Sequence, residues 1–355
     1  MMRIYSVHTK WYEDILILLI VICAAVLFLL PAGCSLPLAV GKMSEVVVMA
    51  DEDVWREIEP EVRGALEREV LSPRHETAFQ VIFAPLEKPG EYRKWSKLIL
   101  IGSLEGRGTI GDLVTEDIRD EINAKRGLLY AASDVWARNQ RVFLLVTARE
   151  RDILPYVRRS KDLLFSKLDD LLRAEVKEKM FLSGPNLALE DTLRDEYGFT
   201  MRFPSVYRRG EPLESPRAIR FFNVNPQRSF IIHWEKGEQD SLDPLFVLDL
   251  RAELSRHFYP GDYVVAGRTK SEWVDFRGDK ALRLEGIWEN REKLEGGVFI
   301  TYAFNCEEAG RFYLLDSILF SPDPRKSKYV YLIQLDTILN SFECSPAAKE
   351  AAGGP

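Results

Sequence analysis

EVVVMADEDVWREIEPEVRGALEREV, residues 45–70, is the stretch on which the fold turns. Its first five residues are a β-branched run that reads as a strand. The acids Asp51, Glu52 and Asp53 then open a helix, at the end where its dipole favours negative charge. Val54, Ile58, Val62, Leu66 and Val70 recur every fourth residue and share one apolar face. Pro60 predicts an interruption, with a second helical piece starting where proline's missing donor costs least. A strand feeding a one-sided helix implies a sheet on which that helix lies.

Downstream, residues 78–83 and 97–102 read as strands joined by a turn at Pro89-Gly90. A polar helix is expected over 112–124 and a buried strand closes the run within 135–148 (VWARNQRVFLLVTA). The order strand–helix–strand–strand–helix–strand is the split βαβ pattern of ferredoxin-like folds. The longest helix spans 150–180, with Ile153, Val157, Leu164, Leu168, Leu171 and Leu172 as a stripe that suits core packing rather than a cofactor. Gly184-Pro185 breaks it. A shorter helix from Leu187 ends at Gly198, placed as a C-terminal glycine cap, and 199–203 is a strand.

The polar loop RRGEPLESPR, residues 208–217, marks the boundary between two halves. Beyond it, 218–224 and 229–234 form a hairpin about Asn225-Pro226-Gln227. Asp243-Pro244 is a helix start, with a capping acid before proline at the first position. Strands at 281–288, 298–306 and 312–320 and a helix over 326–342 complete the body. The class is α+β, with mixed, largely antiparallel sheets flanked by helices and a ferredoxin-like first half. The chain divides into an export segment (1–34), a tether (35–44), an N-terminal half (45–207), a C-terminal half (208–342) and a disordered tail (343–355).

Upstream, residues 15–34 read ILILLIVICAAVLFLLPAGC, sixteen apolar residues and then a Pro-Ala-Gly-Cys corner. A permanent helical span needs about 20 apolar residues, so the run suits the apolar core of an export signal. Ala32-Gly33 before Cys34 resembles a lipobox, with Pro31 where its leucine usually stands. Two readings stay open: a lipidated Cys34, or an uncleaved helix acting as a single-span anchor. Both put the body at a membrane surface, and the first implies a lipid-anchored protein of the bacterial cell envelope, facing the periplasm.

A net charge of −7 and short, scattered basic clusters argue against a nucleic-acid partner. The body has two cysteines, Cys306 and Cys344. An exported compartment is oxidising, which makes them a candidate disulfide. They are too few for a zinc site, the histidines show no ligand spacing, and neither metal nor cofactor is expected.

Several segments, taken in order, carry a resemblance: TAFQVIFAP, DVWARNQ, YGFTMRFPSVY, AIRFFNVNPQRSFIIHW, YPGDYV, LEGIWEN with GGVFITY, and GRFYLLDSILFSPDPRKSKYVYLIQLDTIL. Together they resemble the exported bacterial lipoproteins grouped as domain-of-unknown-function family 4837, across almost all of the body. The resemblance implies a lipoprotein and supplies no catalytic residues.

Gly106 to Gly111 spells GxGxxG, but no ribose-binding acid follows on a clear parallel strand, and a turn is the better reading. Trp136 and Arg138 pair an indole with a guanidinium ahead of an apolar strand, and Arg283 and Trp288 repeat the pair on a later one. The four are the candidate walls of a groove for a flat or anionic group; the competing reading is a packed indole and a structural ion pair. Adjacent acids such as Glu307-Glu308 do not face one another and make poor acid–base partners. The expectation is a non-enzymatic binding or scaffolding module, against two alternatives: an envelope hydrolase using carboxylates that the sequence does not identify, and an accessory subunit of outer-membrane assembly or transport machinery.

Overall fold

A computed structural model describes residues 36–87, 90–106, 110, 114–214 and 217–344. Strand β1 (Glu45–Ala50) is buried along its whole length and feeds α1 (Glu52–Leu66). The helix runs through Pro60 without a break. The proline removes one backbone donor, but burial of Val54, Trp55, Ile58, Val62 and Leu66 on one face holds the two turns in line.

The first sheet adds β2 (Gln80–Pro85), β3 (Lys97–Ser103), then α2 (Glu116–Lys125), β4 (Leu128–Ser133) and β5 (Arg141–Thr147). Its order is β2-β1-β3-β5-β4, with every pair parallel except β4–β5. The ferredoxin-like expectation is therefore corrected. The strands β2 and β3 do not lie together but flank β1 on opposite sides. The signal for parallel pairing is in the runs EVVVM and KLILIG, apolar on both faces because helices or loops cover both. Strand β4 was not foreseen; its mostly half-exposed side chains give no period-two pattern.

Helix α3 (Ile153–Met180) lies beside α1 on one face of this sheet and buries Ile153, Val157, Leu164, Leu168 and Leu172. A turn at Gly184 leads to α4 (Leu187–Thr192), capped by the Asn186 side chain, which accepts from the Leu189 amide. The segment that follows, read from sequence as the end of the first half, packs on the second sheet. There Phe199 stacks on Phe342 and Phe203 meets Phe221 at 4.6 Å.

Short strands β6 (Phe199–Thr200), β7 (Arg208–Arg209) and β8 (Leu213–Glu214) precede the long ones: β9 (Arg217–Val224), β10 (Gln227–Lys236), then α5 (Pro244–Phe258), β11 (Asp262–Phe276), β12 (Asp279–Asn290), β13 (Glu295–Cys306) and β14 (Arg311–Phe320). They form an antiparallel sheet in the order β11-β12-β13-β14-β10-β9-β7, with β8 also on β9. Asp243 caps α5 as its sequence implies, accepting from the amides of Leu245 and Phe246. The described part of the chain is α+β, with a mixed sheet and a larger antiparallel one. Helix α6 (Lys328–Leu339) joins them, because one apolar core runs from β1 through α1, α3 and α6 into the second sheet. Strand β15 (Glu343–Cys344) pairs with β6 where the tail was expected to begin; 345–355 lie outside the described residues.

Candidate functional site

The first sheet has an apolar face closed by α1 and α3. On its other face α2 is, among the described residues, the one α-helix, beside a short 3-10 turn at Gly90–Lys94. Ile118 and Ile122 turn one side of α2 toward the sheet, beside Trp136, Val142 and Val146. Arg119, Asn123 and Arg126, at helical spacing, turn the other side toward the ends of β3 and β5.

Those ends are parallel and finish side by side, and the Leu104 amide donates to Thr147 O at 2.9 Å to tie them. Here lies a crevice of about 560 Å³, lined by Leu104, Glu105, Arg119, Arg126, Arg149 and Arg151 among others. The Thr147 hydroxyl donates to Arg149 O at 2.7 Å, and the Asp152 amide to the same oxygen at 3.1 Å. The backbone carrying Arg149 is thus fixed. Arg126 adopts a left-handed conformation at the end of α2, φ 60°. The next residue, Gly127, lets Tyr156 approach so closely that a Cβ would sit 2.5 Å from its ring. Four arginines and two acids, Glu105 and Asp152, line the crevice, and Arg119 also pairs with Glu116 at 3.8 Å. Arg149 meets Glu105 only at 3.9 Å. Guanidinium forks match carboxylate and phosphate oxygens with two parallel bonds, and open α/β sheets bind ligands beyond the carboxyl ends of parallel strands. A cluster of this composition has the chemistry to receive an oxyanion.

A second polar hollow, of about 600 Å³, lies between α3 and α6. Its arginines are committed to acids: Arg173 to Asp169 at 2.7 Å, Arg277 to Glu343 at 2.7 Å and Arg202 to Glu190 at 3.4 Å.

The groove read from sequence does not form. Arg138 is exposed in the turn before β5, and its amide donates to Pro37 O at 2.8 Å. Trp136 packs with the first-sheet cluster under Arg93, 5.6 Å from its ring. Arg283 and Trp288 lie on the second sheet, and on opposite faces of β12, because they stand five positions apart and side chains alternate. Trp288 is buried among Phe320 and the aliphatic side chains under α5. Arg283 faces α6, donating to Tyr302 Oη, Glu272 and Glu285 at 3.1 Å each. Burial disfavours its charge, but Glu285, Tyr302 and Asp336 outweigh that and raise its pKa. Burial and Asp336 push the Tyr302 phenol up to about 12. This is a structural network.

Cys306 and Cys344 are joined by a disulfide, Cα–Cα 6.7 Å, which fastens β15 to the end of β13. The Asp279 carboxylate lies beside the two sulfurs, but bonded sulfurs are not thiolate ligands. Cys34 and the whole apolar run lie outside the described residues, as do Arg107, Gly108, Thr109 and Gly111 of the GxGxxG match. Among the described residues, no helix is long and apolar enough to cross a membrane. The arginine crevice escaped sequence reading because its cations come from α2 and from the turn after β5. The signal available was the charged run Arg149-Glu150-Arg151-Asp152 directly after a buried parallel strand.

Residues 186–341 match the family described as domain of unknown function DUF4837, and residues 39–181 match a separate one, DUF8532. The resemblance to the first family thus holds for the part of the chain around the second sheet, and the first sheet carries a different family's pattern. No curated protein matches the chain. Among solved structures, the chain is similar to a Bacteroides thetaiotaomicron protein at 12% identity and TM-score 0.25, over 42% of this chain and 46% of that one. It is also similar to the Saccharomyces cerevisiae Ran-binding protein Mog1p, at 10% identity and TM-score 0.29 over 42% and 91%. A third is LpqN of Mycobacterium tuberculosis, involved in cell envelope biogenesis, at 13% identity and TM-score 0.27 over 42% and 83%. The chain spans less than half of the first of these, and likenesses this weak carry no functional argument.

Proposed function

We propose that the chain is a membrane-anchored lipoprotein of the bacterial cell envelope, a non-enzymatic module that captures an oxyanion-bearing envelope ligand. The observation that carries the reading is the crevice at the ends of β3 and β5, with Arg119, Arg126, Arg149 and Arg151 set against two acids. The anchor half of the reading is supported by residues 15–34, whose apolar run is followed by a lipobox-like Pro-Ala-Gly corner before Cys34, the residue proposed to carry lipid.

Titration of the full chain in mild detergent with inorganic pyrophosphate, and separately with inorganic phosphate, tests the ligand. Each charge-assisted hydrogen bond contributes about 1.5–3 kcal/mol. Arg126→Ala with Arg149→Ala should therefore weaken binding by at least about tenfold and leave the melting temperature unchanged. A wild-type chain that binds neither anion refutes the ligand reading, and so does a double variant that binds as well. The anchor is tested separately. Cells fed labelled palmitate should label the wild type and not Cys34→Ala; a wild type that takes up no label refutes lipidation.

A further inference from the structure

The described chain begins with a strap, 36–41, bonded to the segments that lead into β3 and β5. The amides of Arg138 and Ala39 exchange bonds with Pro37 O and Arg138 O, and Val40 bonds to both Lys94 and Ser96. Gly41 lies flat against the Trp95 indole, where a Cβ would clash at 2.5 Å. The first residue of the strap stands two positions after Cys34, so whatever anchors the chain is delivered at this edge.

Exposed apolar side chains gather at the same edge. Leu36, Leu38 and Val40 on the strap, Val135 on the turn that carries Arg138, and Tyr130, which shares a slot with Val135, are between 36% and 58% exposed. That slot is small and apolar, about 100 Å³, between α2 and β4, with Trp136 as a further wall. Lys42, Arg93, Lys94 and Arg138 are exposed around this patch. Asp134, an acid on the same turn, accepts from the Gln140 amide at 3.2 Å. An apolar surface with tyrosine and tryptophan, rimmed by lysine and arginine, has the chemistry of the bilayer interface. Contiguous exposed apolar patches on a soluble surface mark interaction sites.

We propose that the strap and the Tyr130–Trp136 edge form a docking face that lies on a phospholipid bilayer, so that the anchor and the sheet seat together. The docking face rests on the membrane-anchored reading and adds an orientation to it. The body lies with the β4 edge down instead of swinging freely on its tether. Trp273 and Leu294, exposed apolar residues of the second sheet's strand and hairpin, serve as internal controls, since exposure alone does not place them at the anchor.

The test uses the full chain reconstituted into phosphatidylethanolamine–phosphatidylglycerol vesicles containing a phospholipid with a photoactivatable diazirine in its acyl chain. Vesicles are floated, irradiated and digested, and adducts are located by mass spectrometry. Peptides covering 36–42 and 130–138 should carry at least about fivefold more adduct than those covering Trp273 and Leu294, as expected where side chains enter the interface. Leu38→Glu with Val135→Glu, both at exposed positions, should lower the adducts on 130–138 while the protein still floats and melts as the wild type does. A chain that floats with adducts evenly spread, or a double variant with unchanged adducts, overturns the docking face and leaves the anchor standing. A chain that does not float overturns the anchor and the docking face with it.

Discussion

In the second sheet, α5 closes one face around the buried Arg251–Asp316 pair, and α6 with the aromatic cluster of Phe199, Tyr313 and Phe342 closes the other. In the first sheet, α1 and α3 close one face, while the short α2 leaves arginines and aliphatic side chains at the surface of the other. The ionic groups follow the same division. Under α5 the pair on the second sheet is desolvated and satisfied: Arg251 Nε donates to Asp316 at 2.8 Å, and the Thr301 hydroxyl donates to the same carboxylate at 2.6 Å. On the first sheet, the crevice arginines sit around an open volume. Buried, satisfied charge fixes a frame, and an accessible cluster with an excess of cations has the chemistry to receive an anion.

The largest effect that can break this contrast is on the closed side. Asp316→Ala leaves the Arg251 guanidinium buried beside Phe299 without its carboxylate, and should cost about 3–5 kcal/mol in denaturant unfolding. A loss below 1 kcal/mol would show that the α5 face is wetter than drawn. Replacing both Cys306 and Cys344 by serine releases β15 across a separation of 38 residues and should cost about 3–4 kcal/mol on the chain-entropy relation. If reduction leaves unfolding unchanged, the strap from β13 to β15 does not contribute.

A smaller effect sits where the first sheet meets α3. Lys97 Nζ donates to Glu175 at 2.6 Å, and Lys97 is buried. Burial pushes the lysine's pKa down despite the carboxylate beside it. Burial pushes Glu175 up, but Lys97 and Lys179 outweigh it and hold its pKa below the usual 4.5. The Glu175 contribution is therefore present above the unfolded pKa and is lost as pH falls through the lower folded value. Glu175→Gln should cost about 1–3 kcal/mol at neutral pH. The gap between variant and wild type should close in acid below 4.5; a gap independent of pH would refute the pairing. The smallest stability effect belongs to the open side. Arg126→Ala and Arg149→Ala should each change stability by less than about 0.5 kcal/mol, because neither closes the core. A loss of 2 kcal/mol or more would make the crevice part of the frame.

How much of this was legible follows the same division. Local devices read true: the Asp243-Pro244 start of α5, the buried EVVVM strand, and the long stripe of α3 from Ile153 to Leu172. Each depends on neighbours in sequence. Pairing partners did not read, since the exchange of β2 and β3 across β1 is decided by an eleven-residue crossing, 86–96, that has no hydrophobic period. Strand β11 was missed because it is a polar edge strand with a register shift between Val264 and Thr269. The groove failed on parity: Arg283 and Trp288 are an odd number of residues apart on one strand, so sequence alone sufficed to separate them. The crevice is a product of tertiary packing, with Arg119 and Arg126 brought by α2 to the turn that carries Arg149 and Arg151.

Hydrogen exchange of the full chain, with and without saturating pyrophosphate, tests most directly whether the open face of the first sheet is where the protein works. Protection should appear at 103–106, 116–126 and 147–152, and the strands β9 to β14 should exchange as they do in the free protein. Protection centred on the second sheet, or none at a concentration that saturates binding, would contradict the account.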